Sequence, residues 1–314
     1  MKLFRKTDDA PFDVLRQGSV ATIGTYDGLH LGHQKLLDHL IAESKSSGLP
    51  SVVMSFEPTP QEYFFPQNPP ARLMRFGEKF QALEDYGIDL FYCPHFDEEM
   101  RNIEPDAFIR RILVQLLNVR HLVIGDDFHF ARNRSGSMED LVRASTALEF
   151  DIWHIPSIDH DGERVSSTAV RRALAAGDLD RASALLGKRY RMSGKVVEGN
   201  HLGRRLGFPT ANINPDRRQV ALMGIFAARV TGLGDDPLDG VASLGTRPTV
   251  DGTKPLLEVH IFDFDEDIYD EHIHVEFVEK LRDEEKFADL DALTEQMHVD
   301  AAQARDILAK NAGA

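Results

Sequence analysis

The chain of 314 residues contains one cysteine, Cys93. A disulfide framework and a cysteine-based metal cluster are therefore both excluded. Cys93 lies in the apolar run "IDLFYCP", where it reads as a small buried hydrophobe and not as a catalytic thiol. Long hydrophobic runs are also missing, since none approaches the roughly 20 residues that a membrane span requires. The opening segment "MKLFRKTDDAPF" has no apolar signal-peptide core, so a cytoplasmic location is expected. Positive charge is in deficit, with 36 Lys and Arg against 51 Asp and Glu, for a net charge of −15. That balance argues against binding long nucleic acid through phosphate neutralisation. There is no GxxxxGK[ST] phosphate loop, no internal repeat and no low-complexity tract.

What is present is a soluble globular composition, 42% hydrophobic and 28% charged, with a length that favours two domains. In the first half, short apolar strands alternate with helical periodicity. The strands are "SVATIGT", "PSVVMSF", "IDLFYCP", "VRHLVIG" and "FDIWHIP". Helices are expected over 31–47, 74–86, 105–117, 137–148, 167–176 and 178–186. This rhythm predicts an α/β fold with a parallel sheet. The Pro-rich "EPTPQEYFFPQNPP" interrupts it as a long loop. From Tyr190 onward, Gly-punctuated, β-branched segments predict antiparallel strands in a small barrel, closed by a helix near 289–310. The boundary falls at 184/185, giving domains 1–184 and 185–314.

Charge is unevenly spread. Glu258 to Ala314 holds 17 acidic and 5 basic residues, whereas Lys188 to Arg218 holds 8 basic and 2 acidic. A basic island in an acidic protein suggests a local anion site.

Three stretches carry candidate chemistry. In "TIGTYDGLHLGHQKLL", residues 22–37, Gly24, Gly28 and Gly32 allow close backbone approach to a ligand. Asp27, His30 and His33 surround the start of a helix, where free N–H groups accept phosphate. An ordinary glycine turn, or a weak histidine metal pair, stays open on spacing alone. In "RVSSTAVRRAL", residues 164–174, Ser166, Ser167 and Thr168 open another helix, with Arg171 one turn in and able to reach phosphate. A plain N-cap explains one hydroxyl only. In "VVEGNHLGRRLGFPTANI", residues 196–213, Gly199, Gly203 and Gly207 form a loop able to wrap phosphates, and Arg204 and Arg205 add charge. Thr210 and Asn212 follow Pro209, two residues apart, as hard oxygen donors suited to Mg2+. A glycine-turn hairpin is the plainer alternative.

The first and second stretches resemble the HxGH and Ser-Ser-Thr-x-Ile-Arg signatures of the nucleotidyltransferase superfamily. More closely, "GTYDGLHLGHQKLL" and "GRRLGFPTAN" resemble the bifunctional riboflavin kinase/FMN adenylyltransferase (FAD synthetase) family of prokaryotic type. The resemblance implies a Rossmann-like nucleotidyltransferase sheet followed by a riboflavin kinase barrel. It implies ATP as co-substrate, with Mg2+ on Thr210 and Asn212, and Gly199, Gly203, Arg204, Gly207 and Pro209 around ATP. Glu258, inside the apolar alternation Leu257–Val259–Ile261, matches the family's strand Glu and is the expected base. His260 reads as a strand-face residue. Arg282 in "LRDEEKF" is the candidate for flavin or phosphate contact.

"VIGDDFHFARNRSGS" resembles the family's flavin-nucleotide loop. Asp127, Phe128 and Phe130 match, while His129 replaces the usual Arg and Ala131 the usual Gly. Arg132 or Arg134 is expected to supply the missing charge. The expected partners are riboflavin, FMN and ATP, with no nucleic acid and no membrane; a homo-oligomer is compatible with the sequence. Two other readings stay open: an adenylyltransferase for another nucleotide or pantetheine phosphate with an accessory barrel, and a non-catalytic flavin-binding protein.

Overall fold

A computed structural model describes residues 1–126, 128–199, 202–249 and 252–311; for 202, 247–249, 252 and 253 only the backbone is described. The chain forms two compact units, Met1–Pro70 with Phe76–Val165, and Ala71–Arg75 with Ser166–Ala314. Compactness divides the chain at 165/166.

The first unit is built on a six-stranded parallel sheet. Its strands are β1 (Lys2–Phe4), β2 (Ser19–Ile23), β3 (Ser51–Met54), β4 (Leu90–Tyr92), β5 (Val119–Gly125) and β6 (Asp151–Ile155). Their spatial order is β1-β4-β3-β2-β5-β6. β2 and β3 are buried along their whole length, as strands covered on both faces must be. The helices are α1 (Phe12–Leu15), α2 (Leu31–Ser47), α3 (Pro60–Phe64), α4 (Phe76–Asp85), α5 (Glu98–Asn102), α6 (Pro105–Ala107) and α7 (Met138–Leu148). A π-helical stretch, Phe108–Leu116, continues α6 and buries Phe108, Ile109, Ile112, Leu113 and Leu116 in the core. A small hairpin follows, β7 (Asp159–His160) with β8 (Glu163–Arg164). The chain runs outward from β2 in both directions, so β2 and β5 flank the switch point of the sheet. Ligands of open α/β sheets bind at the carboxyl ends of strands beside such a point. The turn that leads from β2 into α2 lies there.

The second unit opens with α8 (Ser167–Ala175) and α9 (Leu179–Leu186). A closed antiparallel barrel follows: β9 (Arg191–Val197), β10 (Ala211–Ile213), β11 (Gly224–Thr231), β12 (Leu238–Thr249), β13 (Gly252–Ile261) and β14 (His272–Arg282), in the order β10-β13-β12-β11-β14-β9. A short α10 (Leu202–Arg205) interrupts the first hairpin, and α11 (Leu290–Lys310) closes the unit. Alternation along β13 buries Leu257, Val259 and Ile261 and turns Glu258 and His260 to the other face. α11 packs on the outer face through Ala304, Ile307 and Leu308, against Ala227, Phe262 and Val278. Residues 71–75 belong to this unit by their bonds: Leu73 O accepts from Tyr190 Oη (3.4 Å) and Arg217 Nη2 (3.2 Å). The expected α/β sheet, antiparallel barrel and terminal helix are all found.

Candidate active sites

In the first unit, the turn after β2 is tightly wound. Tyr26, Gly28 and Leu29 all have positive φ, at 48°, 89° and 45°. Gly28 suits that region, whereas Tyr26 and Leu29 are held in it at a cost of the order of 1 kcal/mol or more each. They persist because both are buried, and Tyr26 Oη hydrogen-bonds Thr22 Oγ1 at 2.6 Å. Burial raises the Tyr26 pKa far above its ordinary value, so this phenol stays neutral. Gly24 leaves room for the Tyr26 ring, which an added Cβ would touch at 3.0 Å. Asp27 is buried in the same turn.

His30 is the N-cap of α2, and its Nδ1 accepts the His33 N–H at 3.3 Å. A neutral His30 ring therefore carries its proton on Nε2. The His30 and His33 rings stack at 3.7 Å, and Tyr26 lies 4.9 Å from His33 on centroids. Gly32 permits the stack, since a Cβ there would meet the His30 ring at 3.2 Å. His33 Nδ1 is buried without a hydrogen-bond partner among the described residues. Burial first, then His30 and Lys79, push the His33 pKa well below the usual imidazole value. The two rings thus stand at a helix N-terminus with His33 neutral, in place to donate to phosphate oxygens.

The loop after β5 is divided in its roles. Phe130 is buried in the unit core, 5.2 Å from Phe108 and stacked 5.6 Å from Phe128, which is half-buried. Arg132 is exposed and paired with Glu104 at 3.0 Å, and Arg134 is exposed at φ 57°. Ala131 has φ 63° and ψ −171°, a region otherwise occupied by glycine. Asp127 lies outside the described residues. Asp126 beside it accepts from Ser157 N (2.6 Å) and meets His154 Nε2 (2.8 Å).

In the second unit, Ser166 caps α8 by accepting from Ala169 N at 3.1 Å. Ser167 is half-buried and Thr168 exposed. The Arg171 side chain donates from Nε to Ala71 O at 2.6 Å. The capping reading therefore accounts for Ser166.

The barrel carries a cavity of ≈ 210 Å³ between its outer face and α11. Gly203, Thr210, Ser243, Glu258, His260 and Arg282 all line it, brought from four separate stretches of sequence. Asn212 stands directly opposite Glu258 across β10 and β13, and opposed residues share a face. Asn212 is buried and its Nδ2 donates to Thr210 O at 3.3 Å. Its Oδ1 is buried with no hydrogen-bond partner among the described residues. A Cβ at Gly199 would overlap the Asn212 amide, and one at Gly203 would overlap the Phe208 carbonyl, so both glycines are required by close approach. The orphaned Asn212 amide oxygen is a hard donor of the kind that fits Mg2+. Gly207 turns the chain at φ 84°, Pro209 O meets His260 Nδ1 at 2.8 Å, and Arg204 and Arg205 are exposed.

Arg282 is clamped. Its Nε and Nη2 donate to the buried Asp300 carboxylate at 3.0 and 2.7 Å, and its guanidinium lies 5.6 Å from the Phe287 ring. Glu284 rests against Gly245, and burial, then Glu258, raises its pKa. Sequence reasoning missed Asp300, Ser243 and Lys79. Asp300 sits in an acidic helix with nothing local to single it out, and only the fold reveals that it is buried.

The two units define an ATP-using transferase of two catalytic modules. A family model described as FAD synthetase matches residues 13–169, and one described as riboflavin kinase matches 186–308. The bifunctional riboflavin kinase/FMN adenylyltransferase of Escherichia coli (strain K12) is 45% identical over 292 residues, covering 93% of each chain. That of Haemophilus influenzae is 44% identical, covering 92% of this chain and 94% of its own. A crystal structure of a Streptococcus pneumoniae protein described as a macrolide-efflux protein shares the fold, with 26% identity, a TM-score of 0.77 and coverage of 95% and 96%. The chain belongs to the bifunctional riboflavin kinase/FMN adenylyltransferase family and carries both of its domains.

Proposed function

We propose that the barrel module phosphorylates riboflavin and that the sheet module adenylylates the resulting FMN, with the functional boundary at 184/185. In the first reaction the ribityl hydroxyl oxygen bonds to the γ-phosphorus of ATP, the bond to ADP breaks, and Glu258 takes the hydroxyl proton. Thr210 and Asn212 would hold Mg2+, which when bound with ATP supplies charge neutralisation on the phosphates. Gly199, Gly203, Arg204, Gly207 and Pro209 shape the ATP loop. Arg282, fixed by Asp300, presents its edge to the flavin or phosphate. The observation that carries this reading is the single cavity shared by Gly203, Thr210, Glu258 and Arg282.

In the second reaction an FMN phosphate oxygen bonds to the α-phosphorus of ATP and pyrophosphate leaves. His30 and His33 grip phosphate oxygens as charge develops, a form of preorganised electrostatic stabilisation. Gly24, Asp27, Gly28 and Gly32 shape their turn; Ser166, Ser167, Thr168 and Arg171 of the second motif are the further phosphate-binding candidates. Asp127, Phe128, Phe130, Arg132 and Arg134 form the flavin-nucleotide loop, with Phe130 as its anchor in the core. Among the described residues no helix is long and apolar enough to cross a membrane. With the single cysteine, this supports work in the cytoplasm on small soluble substrates.

Incubating the protein with riboflavin, Mg2+ and ATP and separating the flavins by chromatography tests the proposal. FMN should form and then give way to FAD. Unchanged riboflavin contradicts the whole reading, and FMN accumulating without FAD removes the adenylyl half.

A further inference from the structure

Lys79 is 3% exposed, an unusual position for an ammonium, since an uncompensated buried charge costs several kcal/mol. It projects from α4 to the carboxyl ends of the two central strands. Its Nζ donates to Thr25 O at 2.6 Å, and Ser55 Oγ lies at 3.4 Å. Ser55 Oγ also donates to Thr25 O at 3.3 Å, closing a triangle. Thr25 belongs to the turn that carries His30 and His33, and Ser55 follows β3 directly. No residue of the HxGH stretch supplies this cation, and nothing in the sequence marks Lys79 among the charged residues of an ordinary amphipathic helix.

We propose that Lys79 is a positioning residue for adenylyl transfer: it ties the HxGH turn to the end of β3 and fixes a positive charge on the turn that carries His33. The inference rests on the proposed role of His33 in that reaction. The His30 and Tyr26 rings lie 3.7 and 4.9 Å from His33 on centroids, and the Lys79 ammonium is fixed on Thr25 O of the same turn. Tyr26 is held neutral by burial. His30 and Lys79 both act, after burial, to disfavour a proton on His33. Removing the lysine charge therefore moves His33 protonation upward in pH. Removing its bond to Thr25 also loosens the turn.

The test follows FAD formation from supplied FMN and ATP against pH, in the full-length protein and in Lys79→Gln, with His33 titrated by NMR. In the variant the acid limb of kcat and the His33 titration should both move up by about one pH unit. At neutral pH kcat should fall roughly 10- to 100-fold, more than KM for ATP changes, while riboflavin phosphorylation is unaltered. Lys79→Arg, which keeps the charge, should restore the acid limb. An unchanged acid limb and unchanged His33 titration in folded Lys79→Gln overturn the proposal. If the variants do not fold, the wild type decides: the Lys79 ammonium 15N signal must shift as His33 titrates, and a signal that stays still overturns it. His33→Gln separates the two readings. If it leaves FAD formation intact, the role of His33 itself fails. If it abolishes FAD formation while Lys79→Gln matches the wild type, the inference on Lys79 alone falls.

Discussion

At the residue scale, backbone conformation and burial decide which changes matter. Ala131 occupies a glycine region of φ and ψ in a loop whose partner ring, Phe130, is fixed in the core. Ala131→Gly relieves strain of about 1–3 kcal/mol and returns up to about 1 kcal/mol through the freer unfolded chain. The net expectation is a stabilisation of about 1 kcal/mol, read as a higher Tm; a lower Tm would contradict the strain. Arg282 and Asp300 form a buried pair whose side chains are 20% and 5% exposed. Asp300→Ala removes the buried partner of the guanidinium, leaving it, among the described residues, only the exposed Glu285 carboxylate at 3.4 Å, and should cost about 3 kcal/mol in denaturant unfolding. The double change Arg282→Met with Asp300→Leu should recover much of that loss while lowering riboflavin phosphorylation.

His33 gives a pH dependence of stability with a definite sign. Its folded pKa is depressed, so below the ordinary imidazole value near 6.5 the unfolded chain binds the proton more readily. Stability of the sheet unit should therefore fall as pH drops below about 6.5, and His33→Gln should flatten that slope. A slope unchanged in His33→Gln would assign it elsewhere.

At the element scale, the sequence was legible where periodicity and end signals agreed. The helix expected over 31–47 is α2 with those bounds, because His30 caps its start and Gly48, at φ 72°, ends it. The helix expected over 105–117 is instead a short α6 followed by a π-helical stretch. The same apolar residues are buried, but spacing alone does not distinguish a wider turn. β1 and the hairpin β7–β8 went unread because they are two or three residues long and, unlike β4, lie in no longer apolar run. The Pro-rich loop holds α3, whose Thr59–Glu62 capping box was readable in principle. α11 is capped by Asp289, which accepts from Ala292 N at 2.9 Å, and it supplies Leu293, Met297, Asp300 and Ala301 to the cavity. Asp289→Ala should destabilise the barrel unit by about 1 kcal/mol and raise KM for riboflavin. An unchanged KM would show that the start of α11 does not shape the cavity.

At the scale of the whole molecule, the sequence conveyed two modules because two unrelated motif sets stand in order on one chain. It did not convey how the chain is shared between them. Ala71–Arg75 packs with the later unit through backbone oxygens, and bonds to carbonyls leave no mark in side-chain pattern. Arg171 is held by this segment, so its place depends on chain 100 residues away.

The central claim is that two separate sites on this chain run the two reactions. Chromatographic assay of Asn212→Ala and His33→Ala, each given riboflavin or FMN with Mg2+ and ATP, tests it most directly. Asn212→Ala should lose FMN formation by about 100-fold or more and still convert supplied FMN to FAD. His33→Ala should accumulate FMN and fail to make FAD. Both activities falling together in either folded variant would contradict the account.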